Sequence, residues 1–181
     1  MTSPNFIGRK YNLSKEDFFE TPSYCVDRLL DVEKFLGKIL EPACGKGSIS
    51  EVLKTKGFEV KSFDIKNRGY GEVKDFFKFT KKVDNIITNP PYNILNDFMV
   101  HCLEISKEKV ALLLRTNSLE GIVRYHSVFS KGLLKSVYVF CRRVRFNHPR
   151  YKKPKGMISY SWFVFDKNFK GINPVIQWID H

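Results

Sequence analysis

A chain of 181 residues and 21.2 kDa, 43% hydrophobic, can bury one sizeable core but not a second full domain. No apolar run approaches the roughly 18 residues of a membrane span, and Met1 to Lys10 has no signal-like stretch, so the reading is a soluble, cytoplasmic single domain over 1–181 with a polar lead over 1–16. The formal charge of +12 is uneven: residues 1–120 hold 19 Lys and Arg against 17 Asp and Glu, whereas 121–181 hold 12 against only Asp166 and Asp180. A net +10 in the last third points to a polyanionic partner; the plain alternative is a solvated face.

Thr21 and Pro22 are predicted as N-cap and first position of a helix carrying Val26, Leu29 and Leu30 and ending near Gly37. Ile39 to Ala43 is a short apolar strand closed by the turn Cys44 to Gly47, and a helix with Ile49, Val52 and Leu53 then stops near Gly57. Glu59 to Ile65 alternates as a second strand. Asp75, Phe76 and Phe77 sit where a third would end, and Val83 to Thr88 is the fourth. Leu95, Phe98, Met99, Cys102 and Leu103 make a helical stripe. Lys109 to Arg115 is a strand covered on both faces, followed by a helix through Leu119, Ile122, Val123 and Phe129. Ser136 to Arg145 and Ser159 to Asp166 are two last strands around a basic loop, 141–157. Strands alternating with helices imply an α/β, Rossmann-like, mostly parallel seven-stranded sheet with helices on both faces and an antiparallel edge strand.

In such sheets ligands lie at the carboxyl ends of the strands. Gly45 and Gly47 let backbone approach a ligand closely, though a plain strand-to-helix turn has the same look. Asp64, 17 residues beyond Gly47, is near the spacing at which a carboxylate reaches ribose hydroxyls. Asp75 and Phe76 suit the edge and face of an adenine, or a strand end beside a core ring. The dinucleotide fingerprint lacks its third glycine at Ser50, and no P-loop order is present. The quartet Asn89, Pro90, Pro91, Tyr92 closes the fourth strand. An amide oxygen, a carbonyl turned by rigid prolines and an aromatic plane can grip the exocyclic amine of a flat base; the alternative is that the prolines simply end the strand. The four cysteines have no metal-ligand pairing, so no metal site and no disulfide framework are expected.

The segment Leu40, Glu41, Pro42, Ala43, Cys44, Gly45, Lys46, Gly47, followed by Asp64, Asp75, Phe76 and Asn89 to Tyr92, resembles the S-adenosylmethionine-dependent DNA adenine-N6 methyltransferases, from about Asp17 to Asp166. Phe18 to Pro22 resemble that family's cofactor-capping segment, in the γ-type motif order. The resemblance implies S-adenosylmethionine as cofactor, with Phe19, Thr21 and Pro22 closing over it and Glu41, Ala43, Cys44 and Gly45 along its methionine part. Asp64 would take the ribose, Ile65, Asp75 and Phe76 the adenine. Asn89 would touch cofactor and substrate, Pro90 and Pro91 would present the second acceptor, and Tyr92 would stack on a flipped base. Asn in the first quartet position favours adenine over cytosine.

The family's DNA-specific members usually carry a separate target-recognition domain, and only Lys167 to His181 follow the last strand read here, as in the compact kind that phages and mobile elements carry. Specificity would then fall to a partner protein, a second copy, or the basic stretch Arg142, Arg143, Arg145, His148, Arg150, Lys152, Lys153 and Lys155, interleaved with Phe146 and Tyr151. Cations for phosphates and rings for bases fit nucleic acid, DNA first. RNA adenine, a protein glutamine amide, and a non-catalytic nucleic-acid-binding module are the alternatives.

Overall fold

The computed structural model describes residues 19–146 and 158–180. Helix α1 (Ser23–Val32) precedes β1 (Ile39–Glu41), α2 (Ser48–Thr55), β2 (Val60–Asp64), β3 (Glu72–Val73) and β4 (Val83–Thr88). Then come α3 (Leu95–Ile105), β5 (Ser106–Arg115), α4 (Ile122–Ser127), β6 (Leu134–Phe140), β7 (Tyr160–Asp166) and β8 (Val175–Ile179). One sheet runs β3-β2-β1-β4-β5-β7-β6-β8. Strand β7 is antiparallel to both neighbours, and all other pairings are parallel. The chain leaves β1 toward β2 on one side, while β4 lies on the other, so a crevice opens at this switch point above their carboxyl ends.

Alternation along the strands builds two cores, one on each face. Val110, Leu112 and Leu114 of β5 face Phe98, Met99 and Cys102 of α3. Ala111 and Leu113 face the opposite way, toward Cys25, Val26 and Leu29 of α1 and Ile49 and Leu53 of α2. Since successive strand residues point to opposite faces, a strand covered on both sides must be apolar throughout. Trp162 is fully buried and donates its indole N–H to the Cys25 carbonyl at 2.7 Å, tying α1 to the antiparallel strand.

At the amino ends of β5 and β6, buried Glu33 accepts from Lys109 at 2.5 Å, Lys135 at 2.9 Å and the Tyr138 hydroxyl at 2.9 Å. Burial pushes its carboxyl up, but those three hydrogen bonds outweigh it and hold the group below its ordinary range. This cluster lies at the opposite end of the sheet from the crevice and fastens the end of α1 to it.

Several expectations need correction. Helix α1 begins one residue late, with Pro22 as N-cap and no side-chain cap, since proline has no side-chain acceptor, and the Thr21 hydroxyl accepts instead from Asn89. It ends at Val32, where Glu33 turns extended to meet its lysines. The helix expected over 119–129 breaks into α4 and two flanking 3-10 turns at Gly121 and at Val128, whose φ of −127° and ψ of −62° are not helical. Among the described residues the sheet has eight strands rather than seven: β8 adds to β6 in parallel register, Ser136 opposite Val175 through Phe140 opposite Ile179.

Candidate active site at the carboxyl ends of β1, β2 and β4

Strand β1 ends at Glu41, and the turn beyond it is fixed by backbone contacts: Cys44 N–H to Phe63 O at 3.1 Å and Gly47 N–H to Cys44 O at 2.7 Å. Gly45 and Gly47 take φ of 56° and 86°, in the left-handed region that side chains disfavour. At Gly47 a Cβ would lie 2.6 Å from the Tyr70 ring, whose hydroxyl is held by Glu51 and Lys54. Glycine at position 47 is therefore required by both conformation and space.

Asp64, buried at the end of β2, accepts the Gly45 N–H at 2.9 Å with Oδ2 and the Lys66 N–H at 2.9 Å with Oδ1. Each oxygen keeps a lone pair for a ligand hydroxyl. Glu41 is fully enclosed, bonded to the Ser50 hydroxyl, which also meets Ser62 Oγ at 2.6 Å. Burial pushes the Glu41 carboxyl up to about 8, with Ser50 opposing, so at neutral pH the group is mostly protonated. Burial, then Glu41 and Asp64, push the Cys44 thiol up to about 12. A thiol so raised is a small filler and no nucleophile.

Asp75 caps a 3-10 turn, its Oδ1 accepting the Phe77 N–H at 3.0 Å. Phe76 is 4% exposed, its ring tilted against Phe98 at 4.5 Å and 4.6 Å from His101, so it is chiefly a core ring that also lines the cavity. Ile65, 44% exposed, lines the same space.

At the end of β4 the Asn89 carboxamide donates through Nδ2 to Thr21 Oγ1 at 3.2 Å, while Oδ1 is buried with no hydrogen-bond partner. A buried carbonyl acceptor without a donor is rare enough to demand a reason. Pro90 is buried, and Pro91 stands extended at φ −69°, ψ 126° before the 3-10 turn from Tyr92. Tyr92 is half-buried; its hydroxyl donates to Leu113 O at 3.3 Å, and the Arg115 guanidinium carbon lies 4.5 Å from its ring centroid.

One cavity gathers Phe19, Thr21, Glu41, Ala43, Cys44, Gly45, Asp64, Ile65, Asp75, Phe76 and the whole quartet Asn89, Pro90, Pro91 and Tyr92. Among the cofactor residues expected, Pro22 alone does not line it and serves as the N-cap of α1. Lys46 and Glu20, paired at 2.7 Å, also line it. Sequence reasoning missed Lys66, Arg68, Phe77, Ile94 and Tyr160 as lining residues. For Phe77 the adjacent Asp75–Phe76 pair was a usable signal; Tyr160 arrives from the antiparallel strand, which no local pattern connects to the cavity.

Arg142, Arg143 and Arg145 follow β6 on the same rim and are exposed, while Val144 among them and Phe146 just after them are buried. Arg142 meets Asp180 at 3.4 Å, and Arg143 bonds Ser159. Phe146 corrects an expectation: it is 4% exposed, 4.6 Å from Tyr160 and 6.1 Å from Phe19, so it docks the basic strip onto the cavity wall instead of offering a face to bases. Lys152 and Lys153, with His148, Arg150, Tyr151 and Lys155, lie outside the described residues. Among the described residues no group of His, Cys, Asp and Glu could hold a metal, and no helix is long and apolar enough to cross a membrane.

No protein-family model and no curated protein matches the sequence. Solved structures do match. A candidate RNA methyltransferase from Pyrococcus horikoshii superposes with a TM-score of 0.66 at 18% identity, covering 87% of this chain and 91% of that one. The modification subunit of a candidate type I restriction enzyme from Vibrio vulnificus gives 0.57 at 16% identity, over 93% of this chain and 48% of that subunit. Magnesium protoporphyrin IX methyltransferase from Synechocystis, solved with bound S-adenosylmethionine, gives 0.52 at 14%, over 80% and 78%. At these identities the likeness is one of fold: the chain has the Rossmann-like class I methyltransferase fold.

Proposed function

We propose that the protein transfers a methyl group from S-adenosylmethionine to the exocyclic N6 amine of an adenine in nucleic acid, with DNA as the favoured substrate. The observation that supports this is the buried, unpartnered Oδ1 of Asn89, a residue lining the cavity that also gathers Gly45, Asp64 and Asp75. The cavity fits the cofactor on its own chemistry. The positive-φ turn at Gly45 brings backbone to the cavity wall, Asp64 retains lone pairs for ribose hydroxyls, and Ile65 and Phe76 offer apolar contact for a purine. When bound, the cofactor supplies an electrophilic sulfonium methyl.

The chain's residues address the amine. Adenine N6 is a weak nucleophile because its lone pair is delocalised into the ring. Asn89 Oδ1 accepts one of its hydrogens and the Pro90 carbonyl the other, which draws the nitrogen toward sp3 character and aims the lone pair at the cofactor. Catalysis then rests on positioning and electrostatics rather than on a strong base. A stacked duplex hides the amine, so the base must be extrahelical, with Tyr92 beside it. The exposed Arg142, Arg143 and Arg145 on the same rim, within a strongly basic last third, supply phosphate contacts.

The test is transfer of labelled methyl from S-adenosylmethionine to unmethylated DNA, RNA and protein, followed by nucleoside analysis. Label in N6-methyladenine of DNA is expected; label only in RNA or only in protein overturns the assigned substrate. Asn89→Ala should slow transfer by about 100-fold or more, the scale of losing one transition-state hydrogen-bonding group, with cofactor affinity within about threefold. Near-normal turnover in that variant removes Asn89 from its role.

A further inference from the structure

Arg115 ends β5 on the active-site rim, and its surroundings are unusual for a half-buried cation. Its guanidinium lies over the Tyr92 ring at 4.5 Å, and its Nε is buried with no hydrogen-bond partner. A stacked guanidinium keeps its in-plane N–H donors available, and that planar fork matches a phosphate better than it matches a ring face. The strand end is also fixed in place. Thr116 N–H donates to Ser159 O at 2.9 Å, and the Thr116 and Ser161 hydroxyls meet at 2.8 Å, so Arg115 stands beside the segment whose Ser159 hydroxyl Arg143 bonds. Tyr160 bridges the two regions, 6.3 Å from Tyr92 and 4.6 Å from Phe146.

We propose that Arg115 is a positioning residue that takes the backbone phosphate beside the target nucleotide and rests on Tyr92 until nucleic acid arrives. The proposal builds on the assignment of Asn89 to the methyl-acceptor site. Resting there, the guanidinium covers a ring face that a target base would use. Drawn off by the phosphate, it uncovers that face, so phosphate capture and base stacking become one event. The cation–π contact is weaker than a charge-assisted bidentate phosphate contact, so the exchange runs toward the nucleic acid.

The experiment compares wild type, Arg115→Ala and Arg115→Lys in the full chain on a methylatable oligonucleotide, with and without an uncharged methylphosphonate next to the target adenine. Arg115→Ala should raise KM for the oligonucleotide about tenfold, lower the slope of log K against log salt by about 1, and leave cofactor Kd within twofold. Arg115→Lys, which keeps the charge and controls for folding, should restore the slope but not the full KM. The methylphosphonate should reproduce the Arg115→Ala loss in wild type and add little in that variant. Additive losses, or a fall in kcat with an unchanged salt slope, overturn the phosphate role and leave Arg115 a mere prop for Tyr92. A wild type that methylates no nucleic acid overturns the acceptor-site reading itself, and this inference with it; a wild type that methylates normally beside an unaffected Arg115→Ala overturns only the inference.

Discussion

Gly45 donates its backbone N–H to Asp64 Oδ2 at 2.9 Å, joining the turn after β1 to the end of β2 across 19 residues of sequence. One carboxylate thus both shapes the glycine turn and keeps acceptor capacity facing the cavity. The two roles cannot be separated by position, only by substitution.

Asp64→Ala should weaken S-adenosylmethionine binding by about 10- to 100-fold, the scale of one or two hydrogen bonds to a charged group. Asp64→Asn keeps an acceptor for Gly45 and should fall in between. Titration calorimetry checks both. An alanine variant with a Kd within twofold of wild type would detach Asp64 from the cofactor site.

Gly47→Ala should cost about 1–3 kcal/mol of stability, since it combines a left-handed φ with a Cβ pressed on the Tyr70 ring. Adding Tyr70→Ala removes the clash but not the backbone strain, so the double variant should recover only part of the loss in urea denaturation. Full recovery would show that space alone demands glycine there.

Local patterns picked out many of the residues that line the cavity. Val83 to Thr88 was legible to the residue because an apolar run meets two prolines, and Cys44 to Gly47 because only a turn tolerates that glycine spacing. What stayed hidden depends on pairing across the sheet. Strand β8 lies at an edge with Val175, Ile176 and Trp178 exposed, so no buried face imposes the alternation by which strands are recognised. The role of Phe146 was misread because a ring among arginines looks like a nucleic-acid contact, whereas its partners Phe19 and Tyr160 come from distant segments. The Asn89–Thr21 bond spans 68 residues, and the orphaned Oδ1 that it leaves is visible only in three dimensions.

Replacing Arg142, Arg143 and Arg145 together with Ala should weaken nucleic-acid binding and lower the salt slope by about 2 to 3. The Arg142–Asp180 pair does not protect its arginine from this role, because a pair with side chains 71% and 65% exposed is readily exchanged for phosphate. Filter binding from 50 to 300 mM salt, roughly the range over which such slopes are measured, checks it. An unchanged slope returns the strip to a solvated surface.

Two buried glutamates should give stability opposite dependences on pH. Glu33 is held below its ordinary value of 4.5, so its contribution is complete above that value and is lost as pH falls through the lower folded pKa. Glu41 is raised from 4.5 to about 8, so the unfolded chain ionises first and stability declines as pH climbs from about 4.5 to about 8, then levels. Urea midpoints should therefore peak near pH 5 and fall on both sides. Glu41→Gln should flatten the alkaline limb and stabilise the protein at pH 8 by about 1 kcal/mol or more, leaving the acid limb intact. Glu33→Gln should do the reverse, flattening the acid limb while lowering stability at pH 7 by about 3 kcal/mol, because Lys109 and Lys135 lose their shared carboxylate. If Glu41→Gln leaves the alkaline limb unchanged, Glu41 is already ionised in the folded protein and the enclosed pair with Ser50 does not hold its proton.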